Sequence, residues 1–292
     1  DTRFGVHQMK HNISTKAEIS TSNELNDYYK ATKDEFNNYL EREISKEPQE
    51  IAKLIEKGLR GGKRLRPILC KLVSDTLGGD THLAFECSMA LELLHCGALI
   101  HDDWIDGDKF RRTAPSLWNE LGPRTSVLVA DFMIATGSLH GAISLDTGKS
   151  LARCARNLTE GAIADFTDKK NYSESVYLDR IKRKTGALYS TAAELGALVS
   201  PRTDLAPKMY KYGECVGILY QITDDYLDLL NSLITKTAVG DLALRIPTLP
   251  LTKLSRYPQY QEVVDEFIYN GNTEKLISNV EIKHAQEVFD DL

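Results

Sequence analysis

Two stretches of this chain run apolar for several helical turns and then end on the same acidic pattern. Leu91 to Ile100 leads into Asp102-Asp103-Trp104-Ile105-Asp106, and Val216 to Ile222 leads into Asp224-Asp225-Tyr226-Leu227-Asp228. In each cluster the first and last aspartates are four apart, so they share a helix face and repel. Carboxylates at the end of a buried helix are costly without a cation. A fold that tolerates both helices needs a polar site where their ends can be neutralised. Magnesium suits that role, because it takes oxygen ligands and commonly joins one or two carboxylates to substrate phosphates. Neither cluster has the alternating oxygens and central glycine of a calcium loop. A single such cluster is common by chance, and a pair of solvated helix ends is the alternative reading.

The rest of the text is helical as well. Tyr28, Tyr29, Phe36, Tyr39 and Leu40 recur at three- and four-residue steps, and Ile51, Leu54, Ile55 and Leu59 continue the period. Breaks fall at Gly61-Gly62, Gly78-Gly79-Asp80, Gly107, Gly122-Pro123, Gly148, Ser200-Pro201 and Gly240. Between the second and third of these, Leu83 to Asp106 reads as one long buried helix. Strand signals are few, with Val127-Leu128-Val129 the nearest. No linker divides the chain and no repeat of roughly 20–50 residues is visible. The expectation is an all-α, single-domain helical bundle over residues 23–292, preceded by a loose polar arm at 1–22. The amphipathic tail from Val263 is expected to cap the body.

Composition narrows the function. Of 292 residues, 42% are hydrophobic, enough for a packed interior, and the net charge of −6 argues against a nucleic-acid partner. No apolar run reaches the roughly 20 residues needed to span a bilayer. The five cysteines, Cys70, Cys87, Cys96, Cys154 and Cys215, form no C-x-x-C pair and read as reduced, buried thiols of a cytoplasmic protein. The text opens on Asp1 rather than Met, so a leading segment removed from it is left open, and no secretory signal is evident.

An acidic protein that handles an anion needs local cations. Lys63, Arg64 and Arg66 follow Gly61-Gly62, where backbone can approach a phosphate closely. Arg111-Arg112 follow the first aspartate cluster, and Lys182-Arg183-Lys184 precede Thr185-Gly186. Lys236 and Arg245 flank the loop after the second cluster. His95 lies two turns before Asp102, on the same face, and could donate to an anion.

Taken in order, Gly-Gly-Lys-Arg-Leu-Arg-Pro at 61–67, Leu-Ile-His-Asp-Asp-Trp-Ile-Asp at 99–106, Arg-Arg at 111–112, Lys-Thr-Gly at 184–186, Gln-Ile-Thr-Asp-Asp-Tyr-Leu-Asp at 221–228 and Thr-Leu-Pro-Leu at 248–251 resemble the trans-isoprenyl diphosphate synthases of the polyprenyl synthetase family. The resemblance covers roughly residues 25–270. It implies a helical bundle around a deep central cavity, assembled as a homodimer, with a magnesium cofactor of two or three ions. It implies isopentenyl diphosphate and an allylic diphosphate as substrates. By the same resemblance Lys63, Arg66, His95 and Arg112 bind the isopentenyl diphosphate. Asp102 and Asp106 hold magnesium from one side and Asp224 from the other, with Asp103 and Asp228 completing the candidate set. Arg111, Lys184, Thr185, Gln221 and Lys236 contact the allylic diphosphate. The implied reaction is ionisation, condensation and elimination, with Asp102, Asp106, Asp224 and Lys184 as the catalytic set.

Two positions depart from the family pattern. Thr113 stands where Arg-Arg is usually followed by glycine, and Ile246 stands where a lysine often precedes Thr-Leu-Pro, with Arg245 beside it as a substitute. In the family, bulky residues just before the first cluster stop the growing chain. Gly97 and Ala98 are small, so a C20 or longer product such as geranylgeranyl diphosphate is expected. Close helix packing is the competing explanation for that small pair. Two rival functions remain. A terpene cyclase of the same fold normally carries a different second metal motif, and a non-catalytic regulatory subunit of a heteromeric synthase would be expected to lose aspartates.

Overall fold

A computed structural model describes residues 16–112, 114–167, 173–238, 240–243 and 246–290. Helices make up nearly all of it. In chain order these are α1 (Lys16–Ile44), α2 (Gln49–Gly58), α3 (Leu65–Thr76), α4 (Thr81–Asp106), α5 (Leu117–Leu121), α6 (Pro123–Gly141), α7 (Leu145–Thr167), α8 (Glu174–Ile181) and α9 (Ala187–Leu198). Then follow α10 (Ala206–Thr235), α11 (Gly240–Ala243), α12 (Leu249–Leu254), α13 (Pro258–Asn270), α14 (Thr273–Asn279) and α15 (Ile282–Asp290). A two-strand hairpin, β1 (Phe110–Arg111) and β2 (Ala114–Pro115), pairs Phe110 with Pro115 and Arg111 with Ala114. It stands immediately after the first aspartate cluster.

Helix α1 begins at Lys16, inside the segment expected to be a loose arm; residues 1–15 lie outside the described residues. The text at Val127–Val129 is helical, within α6. The break expected at Gly148 falls before Leu145 instead. Helix α4 starts cleanly because the Asp80 carboxylate accepts from the Leu83 amide, and it stops at Gly107 in a left-handed conformation. It is also the one helix among the described residues long and apolar enough to cross a membrane, contrary to the sequence expectation. Most of its apolar window is buried inside the protein, as befits a core helix.

Two apolar clusters meet on opposite flanks of α4. On one side Leu91 and Leu94 pack with Leu69 and Val73 of α3, Leu188, Ala192 and Leu195 of α9, and Leu151 and Cys154 of α7. On the other, Met89, Leu93, Cys96 and Ile100 pack with Phe36, Tyr39 and Ile55 from α1 and α2 and with Val129 and Met133 of α6. A third cluster joins Leu229 and Leu233 of α10 to Leu251, Leu254, Val264, Phe267, Leu276 and Val288, so the C-terminal helices close over the end of α10 as expected.

The α4–α6 contact corrects one reading. A Cβ on Gly97 would lie 2.7 Å from Ile134 Cγ1 and 2.9 Å from the Ala130 carbonyl oxygen. Gly97 is therefore a packing glycine that lets α4 and α6 touch, and a large side chain there would force the helices apart rather than plug a cavity. Ala98, on the α4 face that carries Asp102, remains as the candidate for chain length.

All five cysteines are free thiols, and four of them are buried; Cys215 is exposed, contrary to expectation. Burial pushes the Cys70 and Cys96 thiols up to about 12, which keeps them protonated and unreactive.

Candidate active site

The site is assembled around a helix that changes type. Between α8 and α9, residues Lys182–Gly186 form a π-helical turn, a form that occurs mostly as single turns at functional positions. Lys184 and Thr185 lie in it. Lys184 acts on Asp102 of α4: burial pushes the Asp102 carboxyl above its ordinary value, Lys184 draws it back, and Asp106 pushes it up again. Thr185 donates its hydroxyl proton to Gln221 Oε1 of α10. Of this adjacent pair, Lys184 acts electrostatically on the first aspartate cluster and Thr185 is hydrogen-bonded to the helix that carries the second. Helix α10 can lie this close because a Cβ at Gly217 would sit 2.9 Å from the Gly186 Cα.

Within each cluster the second aspartate turns inward. Asp103, 3% exposed, accepts from Arg111 Nε at 2.6 Å and from Nη2 as well. Asp225, also 3% exposed, accepts from the Tyr177 hydroxyl at 2.6 Å and from Gln221 Nε2 at 2.7 Å. Asp103 was expected among the metal ligands; its carboxylate is instead engaged by Arg111, which in turn is held against the end of α4. Asp106 and Asp224 are exposed and Asp102 is half-buried. Asp228 is half-buried beneath Gly240, where an added Cβ would collide with its carboxylate.

The first basic segment splits in a way its text does not show. Arg66 Nη1 lies 3.0 Å from His95 Nε2, and its guanidinium stacks on the Tyr189 ring at 4.9 Å. An arginine can only donate, so His95 Nε2 accepts. Burial, then Arg66, Arg112, Arg111 and Arg64, hold His95 well below the ordinary histidine range. His95 is thus a neutral imidazole that orients Arg66, rather than a charged donor through this nitrogen. Arg112 donates to the Arg60 carbonyl at 2.9 Å, and Arg60, Asp103, Arg111 and Arg112 line one cleft between α2, α4 and the hairpin. Lys63 is exposed. The Arg64 side chain is turned inward, 10% exposed, and takes no part in that surface. Tyr189, which the sequence reading did not single out, lies between the groups: burial raises its hydroxyl, Arg66 lowers it, and Tyr220 and Asp224 raise it again. Its only sequence signal is an aromatic residue five places after Lys184.

Lys236 does not join this set. It sits in a left-handed conformation at the end of α10 and donates to the Ile277 carbonyl at 3.1 Å. Arg245 and Thr113 lie outside the described residues.

The donor set fits magnesium. Among the described residues no three His, Cys, Asp or Glu side chains converge on one point, but Asp102 and Asp106 place two carboxylates one helical turn apart. Burial raises the Asp102 carboxyl even though Lys184 and Arg111 act against it, so a further cation beside it would be favourable. That is a two-carboxylate platform whose remaining ligands would come from water and a phosphate.

Known proteins share this arrangement of elements. The polyprenyl synthase from Caulobacter crescentus, solved with calcium and isoprenyl diphosphate, superposes with a TM-score of 0.76 at 26% identity over 90% of this chain and 87% of that one. The geranylgeranyl diphosphate synthase of Sulfolobus acidocaldarius is 36% identical over 181 residues, 58% of this chain and 55% of that protein. The octaprenyl diphosphate synthase of Haemophilus influenzae is 31% identical over 230 residues, 75% of this chain and 70% of that protein. The matched segment spans little more than half the length of the Sulfolobus relative. A sequence model described as polyprenyl synthetase matches residues 48–284. That span takes in both aspartate clusters, the Lys184-Thr185 link and the Arg66–His95 pair, and this chain belongs to the polyprenyl synthetase family.

Proposed function

We propose that the protein is a magnesium-dependent prenyltransferase that condenses isopentenyl diphosphate with an allylic diphosphate, head to tail and all-trans, to a C20 or longer prenyl diphosphate. The observation that carries this reading is the π-helical turn that sets Lys184 to act electrostatically on Asp102 and hydrogen-bonds Thr185 to Gln221, together with the Arg66–His95 pair. It offers an acidic, metal-ready side and a basic side in one site, one for each diphosphate. Relatives that make different lengths, a geranylgeranyl and an octaprenyl diphosphate synthase, support the reaction class.

Asp102, Asp106 and Asp224 would hold the metal, which neutralises diphosphate charge as the allylic C–O bond breaks. Lys184, and Thr185 with Gln221, orient that diphosphate. Arg66, fixed by His95, and Lys63 and Arg112 hold the isopentenyl diphosphate, so that its double bond faces the allylic carbon. Loss of the allylic C–O bond leaves a carbocation and free diphosphate, the isopentenyl double bond attacks that cation to form the new C–C bond, and a proton then leaves to regenerate a double bond, with a diphosphate oxygen as acceptor. The cation must be kept from water, a role for the apolar residues that precede each aspartate cluster on α4 and α10.

Of the two positions linked to product length, Ala98 supports a long product and Gly97 carries no weight. A homodimer is proposed with it, supported by Leu128 and Leu139 of α6, which are 69% and 79% exposed. Four buried free thiols support a cytoplasmic setting. Turnover of isopentenyl diphosphate with farnesyl diphosphate and magnesium, with the product resolved by chain length, tests the proposal. A C20 or longer product is expected. No condensation with any allylic diphosphate would refute the activity, and, with geranyl diphosphate as the starter, a product that stops at C15 would refute the length.

A further inference from the structure

Three basic residues in four positions invite a single role, yet the structure gives Arg64 a different one from Lys63 and Arg66. Its backbone is left-handed, with φ of 57°, an unusual cost for a residue with a side chain. The turn swings the side chain inward, to 10% exposure. There every guanidinium nitrogen is used: Nε donates to Asn37 Oδ1 at 3.1 Å, Nη1 to Glu92 Oε1 at 2.6 Å, and Nη2 to the Leu59 carbonyl at 2.9 Å. Glu92 is itself buried on α4, one turn before His95. The fit is tight. A Cβ on Gly62 would collide with the Arg64 guanidinium and lie 3.1 Å from Glu92 Oε1, so residue 62 has no side chain because the ion pair occupies that space. Helix α1 adds a second tether, since the Tyr29 hydroxyl donates to the Lys63 carbonyl at 2.8 Å.

We propose that Arg64, Glu92 and Asn37 form a positioning triad behind residues 59–66, the turn that leads into α3, so that Lys63 and Arg66 present their charges to one diphosphate. Arg64 touches no substrate. It fixes the loop from behind, tying it to α1 through Asn37 and to α4 through Glu92, the helix that also carries His95 and Asp102. The assignment of that diphosphate to isopentenyl diphosphate rests on the proposed function. The geometry of the loop does not.

The test uses the full chain with Asn37→Ala, Arg64→Lys and Glu92→Gln. Steady-state KM is measured for isopentenyl diphosphate and for farnesyl diphosphate separately, hydrogen exchange is followed over residues 59–66, and inorganic diphosphate is titrated by calorimetry. Losing one hydrogen bond to a charged group corresponds to about a tenfold change. Asn37→Ala is therefore expected to raise the isopentenyl KM about tenfold, to leave kcat and the farnesyl KM within about twofold, and to speed exchange over the loop. Arg64→Lys keeps the charge but loses the fork and shifts the same quantities further. If the charge-pair variants fail to fold, Asn37→Ala, which removes a neutral acceptor near the end of the network, carries the test. A fall in melting temperature with both KM values unchanged would make the triad merely structural and overturn the proposal, as would a parallel rise in both KM values. If the wild type shows no turnover, the prenyltransferase reading fails by itself. The triad is then judged by loop exchange and by the inorganic diphosphate titration, and no change in both between wild type and Asn37→Ala overturns it.

Discussion

Replacing Tyr177 with Phe removes one oxygen and isolates a single interaction behind the second aspartate cluster. Tyr177 and Asp225 are 2% and 3% exposed, and their hydrogen bond is 2.6 Å long. The variant keeps the ring and its packing against Ile181 and Leu249. Asp225 Oδ2 loses that donor in a place with little access to water, while Oδ1 keeps Gln221. A hydrogen bond to a charged group contributes about 1.5–3 kcal/mol. For a chain of this size about 2 °C is lost per kcal/mol, so the melting temperature should fall by about 3–6 °C. Thermal unfolding followed by circular dichroism, on apo protein at neutral pH, reads this directly. Turnover should fall as well, because Asp225 stands beside Asp224 on α10 and its anchoring fixes where that carboxylate points. An unchanged or raised melting temperature would show that Asp225 is not held by Tyr177, and would refute the view that the inner aspartate of each cluster is an anchor.

Two other outcomes follow from the same geometry. Asp102→Asn should abolish turnover and yet stabilise the apo protein near neutral pH. Burial raises the Asp102 carboxyl in the folded state, so wild type is most stable below the ordinary aspartate value, about 3.9, and loses that stability as pH rises through the raised value. The Asn variant lacks this loss, and melting curves from pH 3 to 8 in chelator should diverge upward from wild type as pH rises; parallel curves would sink the argument. Gly97→Ala should cost about 1–3 kcal/mol through the clash with Ile134 and the Ala130 carbonyl while leaving product length unchanged. A stable variant with a shorter product would return Gly97 to the cavity wall.

What the sequence shows and what it hides divide along physical lines. Long apolar periods and Gly/Pro breaks are local, and they place α2, α3, α4, α6 and α10 close to where they stand. Aspartates four apart share a face in any helix, so the pairing of Asp102 with Asp106 needed no tertiary information. Which neighbour turns inward is another matter. Arg64 and Lys63 differ by little in text, and the left-handed turn that points one inward and leaves the other exposed is held by Asn37 and Glu92, far away in the chain. Gly97 has the same limit. A small residue near a cavity and a small residue in a helix contact look identical until the partner helix, here α6 with Ile134, is placed. Lys236 was grouped with the cations by its nearness to the second cluster, but the backbone at the end of α10 directs it toward α14.

The π-helical turn at Lys182–Gly186 has an evolutionary reading. A wide turn holds one residue more than an α-turn, and adding or removing one residue rotates everything beyond it by about 100°. The halves on either side are committed to different partners: Tyr177 upstream must meet Asp225, and Tyr189 downstream must meet Arg66. Deleting one residue from the turn would therefore not act as a local trim. It would put one half in phase and throw the other out. Single-residue indels in this segment should be excluded from functional descendants, while substitutions at its outward positions drift freely, a pattern of length constancy without identity that a deep mutational scan with deletions can read.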